Sequence, residues 1–326
     1  MQQVKQGVIL AAGKGTRLHP ITATRTKAMA PVAGKPIVAR VMETLIENGI
    51  GDFVLLISPD DQEITGYFQE QFGADLAIRF VVQPQRLGMA NALGLAAPFI
   101  RGPFILSACD NLTPAAHIAE LLDTHEKTQA NATLSLMKID IAKASSTGII
   151  EWENGLIRRI VEKPKPEEAP SNISSLPLYV FSPKILAYLS AVKPSPRGEY
   201  ELQDAIQMLI ERDGQVTGVL TPSRVQLTNV ADLLALNHHY LAIDPDAAVV
   251  LAPNIGAGTR LIPPVWIDNN VTIGPGCVIG PHVTLEQGCH IGANAQIEDA
   301  LILRHTTIAA GRQIKHEVVS DAPKGN

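Results

Sequence analysis

The sequence predicts an α/β protein with a mostly parallel sheet, followed by a parallel β-helix. Three observations predict it. Short apolar strands alternate with amphipathic helices up to about residue 240. A glycine-rich turn follows the first strand, in "GVILAAGKGTRLHPIT" from Gly7 to Thr22. From "IDPDAAVV" onward, a large apolar residue recurs every six positions.

Val8, Ile9 and Leu10 form the first strand, and Gly13 and Gly15 open the turn. Glycines let backbone N–H groups converge on an anion, so the turn suits a phosphate. Lys14 is followed by Gly15, which excludes a Walker loop, and Leu18 stands where a dinucleotide fingerprint needs its third glycine. The expected ligand is a phosphate of another kind, with Arg17 to neutralise it. "KPIVARVMETLIENG" puts Ile37, Val38, Val41, Met42, Leu45 and Ile46 on one helical face and stops at Gly49. "DFVLLISP", "IRFVVQP" and "PFILSACD" read as buried strands, and "GMANALGLAAPFI" as a helix. "TPAAHIAELLDTHEKTQ" reads as a helix with Thr113 as N-cap and Pro114 at its first position. Asn154-Gly155 marks a hairpin in "GIIEWENGLIRRIVEKP". Helices return in "SPKILAYLSAV", "ELQDAIQMLIERDG" and "VADLLALNHHYLAI".

The repeat runs through Val249, Ile255, Leu261, Ile267, Ile273, Ile279, Leu285, Ile291, Ile297 and Leu303. A period sustained this long is a hexapeptide β-helix of about four coils, with Cys277 and Cys289 pointing inward. The phase slips by one after Leu303, where Ile302, Ile308 and Ile314 continue the spacing. Two domains are expected, residues 1–243 and 244–326. Hexapeptide coils associate through their faces, and Val265, Trp266, Val318 and Val319 suggest a homo-oligomer, a trimer or a multiple of one.

The 326 residues carry a net charge of -5, which argues against a nucleic-acid or anionic-membrane surface. No signal peptide or membrane-spanning run is recognisable, and three scattered cysteines form no disulfide or zinc pattern. These features point to the cytoplasm.

In an open parallel sheet, ligands sit beyond the C-terminal strand ends. The polar residues there are the turn from Ala11 to Arg17, Gln83 after "IRFVV", and Asp110 after "PFILSAC". A carboxylate ending an apolar strand needs a partner or a cation. Lys27, Lys35 and Lys163 add positive charge. Together they suggest Mg²⁺-assisted transfer at a phosphate centre.

"LAAGKGTRLHPITATRTKAMAPVAGKPI" resembles the signature of the sugar-1-phosphate nucleotidylyltransferases. The similarity continues through "VVQPQRLGMANAL", "CDN", "SNISSLPLYVF" and "GEYELQDAIQMLIE", spanning about residues 5 to 240. It implies a Rossmann-like nucleotidyltransferase domain with a mixed, mostly parallel sheet; long-form members carry a left-handed parallel β-helix after it. The reaction implied is attack of a sugar 1-phosphate on the α-phosphorus of UTP or dTTP, with glucose 1-phosphate favoured and N-acetylglucosamine 1-phosphate next. By the same resemblance Leu10, Ala11, Ala12, Gly13, Gly15 and Thr16 hold the nucleotide, and Arg17 clamps the pyrophosphate. Lys27 steadies the reacting phosphates, and Asp110 ligates Mg²⁺. Gln83 and Gly88 read the base, the Gln83 amide offering a donor and an acceptor. Gly148, Glu162, Lys163 and Asn172 form the sugar pocket, with Lys163 on the sugar phosphate.

Three positions depart from the family pattern: Cys109, Pro177 and Gln226. Gln226 aligns with a second metal ligand in one comparison; "QLTNVADL" makes Asn229 the ligand in another. Two rival functions remain open. One is a non-catalytic regulatory or assembly homologue. The other is a bifunctional enzyme that also transfers acetyl groups, with His282, His290, His305 and His316 as candidate bases.

Overall fold

The structure is a computed structural model and describes residues 3–59, 61–73, 76–243, 248–251 and 254–321. Two compact units emerge: residues 1–13 with 41–224, and residues 14–40 with 225–326. The boundary expected at 243/244 abuts residues 244–247, which lie outside the described residues. The segment 14–40 thus groups with the β-helix, although the sequence separates them widely.

Among the described residues the first unit has a nine-stranded sheet. Gln6–Leu10 lies between Asp52–Ile57 and Phe104–Ala108, parallel to both, and Ala77–Val82 extends the parallel part. Ile173–Phe181 runs antiparallel to Phe104–Ala108 and to Ala132–Lys138, which makes the sheet mixed. Val8, Val54, Leu106, Leu134, Tyr179 and Phe181 are buried in one core with Leu93, Ile206 and Leu209 from the helices. Burial of these side chains is the main stabilising term of such a fold.

Local signals hold with two corrections. Asn154 and Gly155 both have positive φ and join Gly148–Glu153 to Leu156–Glu162, as the hairpin signal requires. The helix after Asp110 spans Ala115–Thr128 with Pro114 at its N-cap, so Thr113 is not the cap. Proline fits because the cap N–H would have no intrahelical partner. "SPKILAYLSAV" winds as a 3-10 helix, Pro183–Ala191.

In the second unit, three parallel sheets stack as the sides of a β-helix. Its core contains Ile267, Ile273, Ile279, Leu285, Ile291 and Ile297, with Cys277 and Cys289 inside as expected. The slip comes earlier than the apolar pattern suggested. Ile267 pairs with Leu285, eighteen positions on, but Leu285 pairs with Ile302, seventeen on. One residue is therefore missing between Ile297 and Ile302, at the corner where Asp299 has φ 47°. Leu303 is also buried, which hid the slip. Val265 is core, and Trp266 packs over Gly34, whose missing Cβ would lie 1.9 Å from the ring. Both residues are used internally, which removes them as motives for oligomerisation.

Candidate active site

Leu10 aligns with Leu56 and with Ala108, so the residues after them leave the first unit's sheet at one edge. There Ala11 donates its N–H to the Leu56 carbonyl and Cys109 donates to that of Leu10. Arg86, which the sequence did not single out, ties the edge together. Its Nε donates to the Ala12 carbonyl at 2.8 Å and its Nη2 to Ser58 Oγ at 2.7 Å. Gly13 is exposed at the start of the turn.

Gln83 is buried. Its Nε2 donates to Asn91 Oδ1 at 2.9 Å and to the Gly88 carbonyl at 3.3 Å. Both amide hydrogens are thus engaged, and only Oε1 remains for a ligand. That corrects the expectation of a donor and acceptor together. Gly88 has φ 99°, and a Cβ there would lie 2.6 Å from the Tyr200 carbonyl oxygen. Only glycine permits that approach.

Asp110 is 5% exposed. Beside it stands Arg224, whose guanidinium is pushed down from its ordinary pKa by burial while Asp110 and Tyr179 pull it back up. Asn111 is buried too, and both of its side-chain amide atoms lack hydrogen-bond partners among the described residues. Sequence reasoning passed over both residues. Arg224 looks like a loop charge, and Asn111 like the tail of a strand.

Strand pairing places Gly148 opposite Glu162. A Cβ on Gly148 would lie 3.2 Å from Glu162 Oε2, so glycine opens space at that oxygen. Lys163 Nζ lies 3.3 Å from Glu162 Oε1, and Arg197 Nη2 lies 3.6 Å from the same oxygen. Arg197 also pairs with Glu201 at 2.6 Å. Burial raises the Glu162 pKa most; Lys163 opposes it, Glu201 adds to it and Arg197 lowers it. Glu162 Oε2 and Gln203 Oε1 are buried without hydrogen-bond partners among the described residues. Asn172 is exposed, and its carbonyl accepts from the Ile139 N–H. Pro177 falls where the pairing of Ile173–Phe181 with Ala132–Lys138 shifts register, between Ser175 and Tyr179. A bulge tolerates a residue that cannot donate to the ladder.

The remaining candidates belong to the second unit. Gly15 has φ 65°, and a Cβ there would lie 2.8 Å from the Lys27 Cβ. Its carbonyl accepts from Leu18 N–H and Thr22 Oγ1. Thr16 and Arg17 are exposed, and Lys27 is half-buried. Asn229 caps the helix Val230–Ala242: its Oδ1 accepts from Asp232 N–H at 3.1 Å, and Asp232 Oδ2 accepts from Asn229 N–H at 2.9 Å. The oxygen assigned to the metal already has a backbone partner. Gln226 is half-buried.

Gly13 and the buried Asp110 follow the C-terminal ends of parallel strands, the place where an α/β sheet binds its ligands. The chain belongs to the nucleotidyl transferase family, whose model matches residues 6–241. Residues 261–324 match the GMPPB C-terminal domain. The bifunctional protein GlmU of Methanococcus maripaludis is 34% identical over 84% of this chain and 62% of its own length. The UTP–glucose-1-phosphate uridylyltransferase AglF of Haloferax volcanii is 33% identical over 63% of this chain and 83% of its own. A glucose-1-phosphate thymidylyltransferase of Streptomyces griseus is 27% identical over 98% and 94%. The chain therefore spans less than two thirds of the GlmU relative. No helix among the described residues is long and apolar enough to cross a membrane.

Proposed function

We propose that the chain transfers a nucleotidyl group from UTP or dTTP to glucose 1-phosphate, releasing pyrophosphate. A sugar-phosphate oxygen bonds to the α-phosphorus, and the bond from that phosphorus to the bridging oxygen of the pyrophosphate breaks. The observation that carries this reading is Glu162 Oε2, a buried acceptor without a hydrogen-bond partner among the described residues, beside the space left by Gly148. An unpaired buried carboxylate oxygen is costly, and a sugar hydroxyl satisfies it. Lys163, next to it, takes the sugar phosphate. Gln83 Oε1 accepts the imide N–H of uracil or thymine, which adenine and cytosine lack.

Arg17 holds the departing pyrophosphate, its fork suiting phosphate oxygens, and Lys27 neutralises the reacting phosphates. Leu10, Ala11, Ala12, Gly13, Gly15 and Thr16 supply backbone contacts to the nucleotide. Asp110, a buried carboxylate at a strand end, would hold Mg²⁺, a hard ion that takes carboxylate oxygen. When bound, the ion supplies counter-charge to the transferring group. Asn229 is the weaker fit because its oxygen caps a helix. Relatives named for glucose 1-phosphate favour that sugar.

The experiment is purified full chain with Mg²⁺ against a matrix of nucleoside triphosphates and sugar 1-phosphates, following pyrophosphate. Release with UTP or dTTP and glucose 1-phosphate is expected. Preference for N-acetylglucosamine 1-phosphate overturns the sugar assignment, and silence in every combination supports a non-catalytic homologue.

A further inference from the structure

The second unit holds a buried ion pair that the proposed chemistry does not use. Arg25 Nη1 and Nη2 donate to Glu286 Oε1 and Oε2 at 2.7 and 2.8 Å. The two side chains are 4% and 12% exposed. Arg25 lies two positions before Lys27, in the segment that begins with Gly15, Thr16 and Arg17. Glu286 follows the β-helix strand Val283–Leu285. Glu286 Oε2 also accepts the Arg304 N–H at 3.0 Å, and the Arg304 guanidinium donates to the Thr24 carbonyl.

A second fastening lies further along the same segment. Asn237 Nδ2 donates to the Pro31 carbonyl at 3.0 Å, and its Oδ1 accepts the Ala33 N–H at 2.8 Å. The same Oδ1 accepts from Thr284 Oγ1 at 3.1 Å. Thr284 is fully buried and sits two positions before Glu286. Trp266, on the preceding coil, covers Gly34. The segment is therefore tied to adjacent coils near residue 25 and again near residues 31–34.

From this we infer that the β-helix is part of the phosphate-handling apparatus: Glu286, through Arg25, is a positioning residue for the turn that carries Arg17 and Lys27. The inference rests on the function proposed above for those two residues. Surface pairs contribute little, but a bidentate guanidinium–carboxylate pair fixes both distance and plane. Breaking a buried pair leaves an uncompensated charge that the surroundings must move to solvate. The turn, two positions from Arg25 at Lys27, is the element this proposal expects to shift. An electrostatic anchor at this place gives the coils a direct hold on triphosphate binding, whereas the sugar residues Gly148, Glu162 and Lys163 belong to the other unit.

The test uses the full chain carrying Glu286→Gln, Arg25→Gln or both, with Lys315→Ala as a control that breaks an exposed β-helix ion pair to Glu298. Two readouts are taken: amide hydrogen exchange of residues 14–27 without ligand, and KM for each substrate. Glu286→Gln is expected to speed exchange in the turn and to raise the triphosphate KM about tenfold or more, as misplacement of binding groups does. The sugar-phosphate KM stays within about twofold, and the double variant loses no more than the worse single one. Unchanged exchange overturns the inference, as does an equal rise in both KM values or a fall in thermal stability alone. Wild-type protein without pyrophosphate release defeats the proposed reaction instead, and exchange in the turn then decides the anchor by itself.

Discussion

Gln83 donates through Nε2 to Asn91 Oδ1, 2.9 Å away, and this bond fixes which face of the Gln83 amide meets a ligand. A freely turning amide would accept either hydrogen-bonding pattern on a base. Held by Asn91 and the Gly88 carbonyl, it offers an acceptor alone.

Base selection follows from that relationship. Gln83→Ala should erode the preference for UTP or dTTP over CTP by roughly 1–3 kcal/mol while slowing turnover less. Asn91→Leu should act in the same direction, because it releases the amide. Competition assays with paired triphosphates check both. Wild-type preference for CTP or ATP, whose bases lack that N–H, would refute the acceptor assignment.

The sugar side depends on Glu162. Glu162→Gln should lower kcat/KM for the sugar 1-phosphate by about 10- to 100-fold, the range for hydrogen bonds to a charged partner. The triphosphate KM should hardly change. Gly148→Ala should act likewise, since its Cβ falls 3.2 Å from Glu162 Oε2. Initial-rate kinetics with each substrate varied in turn separate the two constants.

The strand-end part of the candidate site is legible in the sequence, because strand-end residues announce themselves. An apolar run followed by a polar residue needs only the parallel-sheet rule to be read, and Gln83 and Asp110 were found that way. Arg25 and Glu286 were not legible. They lie 261 positions apart, and each looks like a solvated charge until the fold buries both. The β-helix was legible in its period. Its slip was misplaced because Ile302 and Leu303 are both buried, and only strand register tells them apart.

Stability should depend on pH through His125. Burial lowers its pKa from 6.5 to about 4, while its Nδ1 lies 3.0 Å from Thr133 Oγ1. The unfolded chain takes the proton first, so stability is full above pH 6.5 and falls as pH drops towards 4. A shift of this size corresponds to about 3 kcal/mol. His117, also lowered by burial against the pull of Glu120, adds a slope of the same sign. Urea unfolding at pH 7 and pH 5 should show the loss in wild type and less of it in His125→Gln. An equal loss in the variant would exonerate His125.

Asn229 has two candidate roles, and one substitution pair separates them. As a helix cap, Asn229→Ala should cost about 1 kcal/mol of stability, and Asn229→Ser should recover most of it. The Mg²⁺ requirement should stay put in both. A raised Mg²⁺ requirement with unchanged stability would restore Asn229 as a metal ligand.

Asp110 is the residue on which the whole account turns. The direct measurement is a Mg²⁺ titration of nucleotide-sugar formation from UTP or dTTP and glucose 1-phosphate, comparing wild type with Asp110→Asn. The account predicts equal yields of nucleotide sugar and pyrophosphate from wild type. It predicts a loss of about a thousandfold in the variant that added Mg²⁺ does not recover, equivalent to several kcal/mol of transition-state stabilisation. Near-normal Mg²⁺-dependent turnover by the variant would contradict it.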